Sequence, residues 1–272
     1  MNVESQPLGG ELLTAEGLSR RLGTRVVGRR ILVYPEVSST NVIASELGDE
    51  GEPEGVVVVA ETQTAGRGRM GREWASAPHL GLWTSILLRP PLRVGEAALL
   101  SQLTAVSVAE AVGQVEPSVV VRIKWPNDLL IGERKVAGIL VEVKGEGERV
   151  DYAVVGVGVN VNHRLADFPA ALQGSATSLL MASGNPVSRL HLAQALYRCL
   201  ETWYLRFVEE GNEPILTRLS LLSGTVGQWV RVESGEERFE AFAEAINRDG
   251  SLRVRLKGGE VRDLVSGEVS IR

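Results

Sequence analysis

Gly66-Arg67-Gly68-Arg69-Met70-Gly71-Arg72, with Trp74 two residues further on, is the stretch whose residue types and spacing point most directly to chemistry. Its glycines leave backbone amides open to close approach, and the guanidinium forks of Arg67, Arg69 and Arg72 fit phosphate or carboxylate oxygens. The stretch lacks the Gly-Lys-Ser/Thr ending of a P-loop, and three arginines do not suit a dinucleotide fingerprint. It reads as a loop for anions or, taken alone, as a solvated basic turn. Gln63 precedes it, and three other polar clusters surround it in the chain. Ser39-Thr40-Asn41 stands at a strand-to-helix junction, where small polar residues either cap a helix or line a polar ligand. Lys124-Trp125-Pro126-Asn127-Asp128 is a sharp turn, because proline cannot donate to a ladder and Asn and Asp favour turns. Lys135 opens a strand in which Gly138 leaves room for a backbone to approach a ligand. Cations that converge from separate segments need an anion to offset their repulsion, and a nucleotide triphosphate plus a carboxylate would supply one.

The elements that must position these residues follow from periodicity. A helix begins near Thr14 with Leu13, Leu18 and Leu22 near one side, and Met1 to Gly10 is expected to be a disordered tail. Residues 28–34 are extended, 42–47 helical, and 56–60 and 82–88 strands, the first of them leading into the Gly/Arg loop. Residues 96–112 carry Leu99, Leu100, Leu103, Val106 and Val112 at helical spacing. Alternation over 119–125 puts Val121, Ile123 and Trp125 on one face and Arg122 with Lys124 on the other. Residues 129–131 and 135–144 form a hairpin around Gly132-Glu133, and 152–161 is a glycine-punctuated strand containing Asn160. Residues 163–184 read as loop, 188–208 as a long helix, and a short helix follows Pro214 to Leu222. The texture then changes to short strands at 228–233, 237–246, 252–256 and 261–265, broken by Ser-Gly, Asp-Gly and Gly-Gly turns. The expected fold is α+β: a mixed, largely antiparallel sheet with helices, plus a small C-terminal β-barrel or sandwich. Residues 1–25 form a tail and short helix, 26–218 the larger unit and 219–272 the small β unit.

The chain has 272 residues, 44% hydrophobic and 23% charged, with a net charge of -5, so the summed field offers no general attraction to nucleic acid or an anionic membrane. The Gly/Arg loop is a local basic site in an acidic chain. Cys199, the single cysteine, falls in an apolar helical pattern and reads as a buried side chain, not a nucleophile. No leader is apparent and no apolar run approaches the roughly 18 residues of a membrane helix, so a cytoplasmic location is expected.

Taken together, Ser39-Thr40-Asn41, Gly66 to Trp74, Lys124 to Asp128 and Lys135-Val136-Ala137-Gly138-Ile139-Leu140 resemble the successive signatures of biotin protein ligases, with their order and spacing kept from about Tyr34 to Asn160. The resemblance implies a catalytic fold like that of class II aminoacyl-tRNA synthetases and a C-terminal barrel of the Src-homology-3 kind. It implies that biotin and ATP, with Mg2+, give biotinyl-adenylate and pyrophosphate, and that a lysine of a biotin carboxyl carrier protein, of acetyl-CoA carboxylase or a similar carboxylase, then takes the biotinyl group. By the same resemblance Lys135, Arg67 and Asp128 are catalytic. Ser39, Thr40, Asn41, Gln63, Gly66, Arg67, Gly68, Arg69, Lys135 and Gly138 serve biotin, while Arg67, Arg69, Arg72, Trp74, Lys124, Asn127 and Asn160 serve ATP or the adenylate. Asp128 stays open between orienting the acceptor lysine, assisting magnesium and pairing with Lys124. Ser38 and Met70 depart from the family's usual residues, an acidic and a basic one. Some members carry a winged-helix DNA-binding domain of roughly 60 residues, whereas only about 30 residues precede the first strand here, so a monofunctional form without operator binding is expected. A homodimer through the catalytic sheet is implied by the resemblance alone. The nearest rivals are a lipoate ligase or octanoyltransferase and, from another class, a biotin- or nucleotide-sensing regulator without catalysis.

Overall fold

The structure is a computed structural model that describes residues 12–234, 237–265 and 267–271. The tail expected over Met1 to Gly10 lies outside them. Thr14 caps the first helix, α1 (Ala15–Ser19), by accepting a hydrogen bond from the Gly17 amide. The strands β1 (Arg30–Val37), β2 (Val56–Gln63), β3 (Gly81–Leu88), β4 (Arg122–Lys124), β5 (Asp128–Ile131), β6 (Arg134–Lys144) and β7 (Tyr152–Asn160) make one sheet in the order β1-β2-β3-β7-β6-β5-β4. Only β1 and β2 are parallel, a pairing made across α2 (Thr40–Asp49). The other neighbours are antiparallel, as hairpin turns predict for β4–β5, β5–β6 and β6–β7. Residues 119–121 do not join β4, yet Val119, Val121, Ile123 and Trp125 are buried in the expected alternation.

Strands β2 and β3 are buried on both faces, which explains the apolar stretches Val56–Ala60 and Ile86–Leu88. Val57 and Val59 face a large core shared with α3 (Ala98–Val115), α5 (Arg189–Glu210) and α6 (Glu213–Leu222). Val56 and Val58 face a smaller cluster with Ala44, Ile43 and Leu47 of α2. The stretch Val94–Val115 is, by length and composition only, apolar enough to cross a membrane, more so than its sequence reading allowed. Its Leu99, Leu100, Leu103, Val106 and Val112 are packed into the large core. Residues 163–184 contain one short α-helix, α4 (Leu179–Ser183), and two 3-10 turns, Leu165–Asp167 and Ala170–Leu172.

The period of two along the strands sets up the floor of a cavity on the α2 side. Across the sheet Asp128 is opposite Gly138, Gly138 opposite Gly158, and Gly158 opposite Trp83. One row along, Leu140 is opposite Gly156 and Gly156 opposite Ser85. All of these share one face, and the glycines lower it.

The C-terminal strands β8 (Trp229–Ser234), β9 (Glu237–Ile246), β10 (Leu252–Leu256), β11 (Val261–Leu264) and β12 (Glu268–Ile271) form a second, antiparallel sheet in the order β11-β10-β9-β8-β12. Strand β12 was not anticipated from the sequence. Among the described residues β11 and β12 stand at the two edges of this sheet. Its core gathers Val230, Val232, Ala241, Ala243, Leu252, Val254, Leu264 and Val269 around Trp125 from the other sheet.

Candidate functional site

A cavity of about 740 Å³ opens over this floor, a size that suits a small-molecule ligand. One wall is the start of α2. Ser39 occupies the N-cap position without making a side-chain capping bond, so the capping explanation does not account for this residue. Thr40 donates its amide and its hydroxyl to Gln63 Oε1 at 2.9 and 3.2 Å, and Gln63 Nε2 donates to Ser76 Oγ at 2.9 Å. The Ser85 hydroxyl lies 2.7 Å from Thr40 Oγ1 and 2.6 Å from Asn41 Oδ1. A Cβ at Gly156 would sit 2.1 Å from Asn41 Oδ1, so the glycine is required by this side chain. The wall is thus a neutral, buried hydrogen-bond network whose members fix one another.

The opposite side is charged. The Gly/Arg loop folds into a tight hairpin in which the Gly68 amide donates to Arg72 O at 2.7 Å and the Trp74 amide to Gly66 O at 2.9 Å. Met70 and Gly71 turn its tip with φ of 57° and 72°. Arg67 pairs with Glu142 at 3.1 Å, and Asn41 Nδ2 donates to the same carboxylate at 2.7 Å, so Glu142 joins the loop to α2. Arg69 donates to Asn127 Oδ1 at 3.1 Å, while Asn127 Nδ2 donates to Ile139 O at 2.7 Å. Lys135 Nζ lies 2.6 Å from Asp128 Oδ1, and Lys124 Nζ lies 3.9 Å from Asp128 Oδ2. Lys135 Nζ also sits 5.2 Å above the Trp74 ring, a favourable cation–π placement. Arg67, Arg69, Arg72, Lys124 and Lys135 line the cavity against Glu73, Asp128 and Glu133, which leaves an excess of positive charge in an acidic chain. That excess is what a polyanion would neutralise.

Two expectations are corrected. The room expected at Gly138 for the backbone to approach a ligand is taken by the Trp74 ring and Lys135, although Gly138 itself lines the cavity; a Cβ there would meet Trp74 at 2.7 Å. Gly66 does not line the cavity but lies beneath the loop, where a Cβ would collide with Trp74 O at 2.4 Å. The other expected residues, Ser39, Thr40, Asn41, Gln63, Arg67, Gly68, Arg69, Arg72, Trp74, Lys124, Asn127, Asp128, Lys135 and Asn160, do line it. Asn160 is anchored by donating to Thr177 O at 3.1 Å. Cys199 is buried well away from this set, and desolvation pushes its thiol up to about 11, as an inert side chain requires.

Residues 33–160 match the Biotin/lipoate A/B protein ligase family, and residues 225–272 match the Biotin protein ligase C terminal domain. The chain is 35% identical over 250 residues to the bifunctional ligase/repressor BirA of Bacillus spizizenii, covering 92% of this chain and 76% of that protein. It is 31% identical over 246 residues to a biotin–[acetyl-CoA-carboxylase] ligase of Mycobacterium tuberculosis, covering 89% and 88%. The chain belongs to the biotin protein ligase family. The solved structure of the biotin protein ligase from Aquifex aeolicus in complex with biotin and ATP superposes with a TM-score of 0.76 and 28% identity, over 90% of this chain and 99% of that one.

In this biotin protein ligase the four clusters read from the sequence are gathered by β2, β5, β6 and the start of α2. Sequence reasoning missed Ser85, Ser76 and Glu142, which organise the clusters, and Phe168, Leu172, Ser175 and Ala176, which close one side. A lone serine in the apolar run of β3 was a usable signal for Ser85. Phe168 comes from a segment without periodicity and carried none. It belongs to an aromatic row in which His163 stacks on Phe168 at 4.9 Å and meets Trp83 edge-on at 5.8 Å. Burial drives His163 down to about 4, although Asp167 pulls the other way.

Proposed function

We propose that the chain joins biotin to ATP, forming biotinyl-5'-adenylate and pyrophosphate, and then passes the biotinyl group to one lysine of a biotin carboxyl carrier protein. The observation that carries this reading is the division of one cavity into a neutral wall of fixed hydrogen-bonding groups and a cationic side built on the Gly/Arg loop and Lys135. Family membership supports the same reaction.

The physical problem is to bring two anions together. Thr40 and Gln63, with Ser39 beside them, suit a polar, uncharged head such as the ureido ring, because the Thr40 and Gln63 groups are already fixed before a ligand arrives. The carboxylate then points toward Lys135 and the loop. Attack of a carboxylate oxygen on the α-phosphorus breaks the bond to the bridging oxygen, and pyrophosphate leaves. Lys135, Arg67 and Arg69 offset the charge that develops there, in a site where their positions are set beforehand. In the second step a carrier amine attacks the acyl carbon and AMP leaves, so the same cations stabilise the departing phosphate. We assign Asp128 to holding Lys135 in place, since its short contact is to Lys135 and not to Lys124. Trp74, Asn160, Arg72, Lys124 and Asn127 are left for the nucleotide.

Magnesium would arrive with the phosphates of ATP, because the described residues contain no group of three or more His, Cys, Asp and Glu side chains able to hold a metal ion by themselves. Asp128 is a lining carboxylate within ion-pair reach of both Lys124 and Lys135. The ligase is further expected to act in the cytoplasm, as a homodimer, without binding operator DNA. Incubation with biotin, ATP, magnesium and an apo carrier domain should add one biotinyl mass to one carrier lysine. No mass gain with an active carrier would refute the transfer step.

A further inference from the structure

The turn that bears Lys124, Asn127 and Asp128 hangs between two anchors. On one side Asn127 exchanges hydrogen bonds with Ile139 of β6, donating from Nδ2 at 2.7 Å and accepting from the Ile139 amide at 3.1 Å. On the other side the anchor is Trp125, and it belongs to a different part of the molecule. Trp125 is buried, and its packing partners are the apolar residues of the C-terminal sheet. Its amide donates to Thr225 Oγ1 at 3.0 Å, and its indole Nε1 donates to Gly250 O at 3.0 Å. Gly250 is pinned in turn by Gln102 of α3, whose Nε2 donates to the same carbonyl at 2.6 Å. The chain entering the C-terminal sheet also runs beside β4, with the Gly224 amide donating to Ile123 O at 2.9 Å and Arg122 donating to Leu221 O at 3.1 Å.

These contacts cross about a hundred residues of sequence, and they flank the three polar residues that face the cavity without themselves lining it. Lys124 precedes Trp125 directly and is paired in register with Asp128. A shift of the Trp125 ring therefore moves the Lys124 and Asp128 side chains together. The neutral wall is built from α2, β2 and β3, whereas the hydrogen bonds of Trp125 go to Thr225 and Gly250. Strand β12 adds Ser270 to the cavity lining, so the small sheet reaches the cavity at a second point.

We propose that Trp125 is a positioning residue through which the C-terminal sheet sets the cationic, nucleotide side of the adenylation site, leaving the neutral wall untouched. The inference rests on the reaction proposed above. Its test is biotin-dependent exchange of labelled pyrophosphate into ATP, with KM measured separately for ATP and for biotin in the full chain. The variants are Trp125→Phe, which keeps an apolar ring but loses the donor to Gly250, and Thr225→Val, which keeps shape but removes the acceptor. Each should raise KM for ATP by roughly three- to tenfold, the scale of one lost buried hydrogen bond, with KM for biotin within about twofold of wild type. Thr225→Ser, which restores the hydroxyl, should recover the ATP value. A merely destabilised protein would lose active fraction, and so kcat, without separating the two KM values. Equal changes in both KM values, or no change in either, would overturn the proposal. Absence of exchange in the wild-type chain would instead overturn the reaction on which it rests.

Discussion

The two sides of the cavity are built on opposite physical principles. The wall formed by Thr40, Asn41, Gln63 and Ser85 is held by neutral hydrogen bonds, and Thr40, Asn41 and Ser85 are buried. The side formed by Arg67, Lys124, Asp128 and Lys135 is held by ion pairs between partly exposed groups. A buried neutral network is costly to disturb, because each broken bond strands a partner away from water. Half-exposed ion pairs contribute little net stability, so an incoming phosphate can replace a carboxylate partner at small cost. The contrast teaches that recognition and chemistry have been separated. One side is preorganised for a fixed shape, and the other carries internal carboxylates that stand where substrate anions will compete.

Substitutions on the two sides should therefore separate in kinetics. Lys135→Ala removes a preorganised charge at the reacting centre and should lower the adenylation rate about a hundred- to a thousandfold, on the order of 2.7–4 kcal/mol, in single-turnover measurements. A near-normal rate would break the assignment of Lys135. Gln63→Ala leaves the Thr40 amide without its acceptor and should weaken biotin binding about ten- to a hundredfold, on the order of 1–3 kcal/mol, while changing ATP affinity little. Calorimetric titration with each substrate reads this directly, and an equal loss for both would erase the division.

The aromatic row beside the cavity has a pH signature through His163, which is folded neutral with a value near 4 against 6.5 when unfolded. Between those values the unfolded chain binds the extra proton, so stability falls as pH drops from about 6.5 toward 4 and loses nothing further from this group below that. The loss should be on the order of 3 kcal/mol. His163→Gln should flatten that limb in denaturant melts across the same window; an unchanged slope would show that His163 is not the source. The smallest effect belongs to Glu142→Gln. The Arg67–Glu142 pair is half exposed, so its loss should cost under about 1 kcal/mol of stability and change KM for ATP only about two- to fivefold, an effect diminished by added salt. Salt-independent kinetics in both proteins would show that the pair is not in competition with the nucleotide.

Much of this was legible in the residues. The four clusters stood out because unlike side chains recur at turn positions between apolar runs, and strands β9 and β10 followed from alternation closed by Asp249-Gly250. What could not be read was long-range. Nothing local marks Trp125 as part of the C-terminal core, since its partners lie about a hundred residues away. Glu142 looked like one more polar position in an alternating strand until the fold placed it between Arg67 and Asn41. The glycine at 138 was rightly read as a demand for space, but the occupant is Trp74, a residue from a loop whose path local pattern does not determine.

The most direct measurement is exchange of labelled pyrophosphate into ATP with biotin, with lipoate as a parallel substrate and Lys135→Ala as control. Exchange should require biotin, be absent with lipoate and collapse in the variant. Exchange supported by lipoate alone, or biotin-dependent exchange that survives Lys135→Ala, would contradict it.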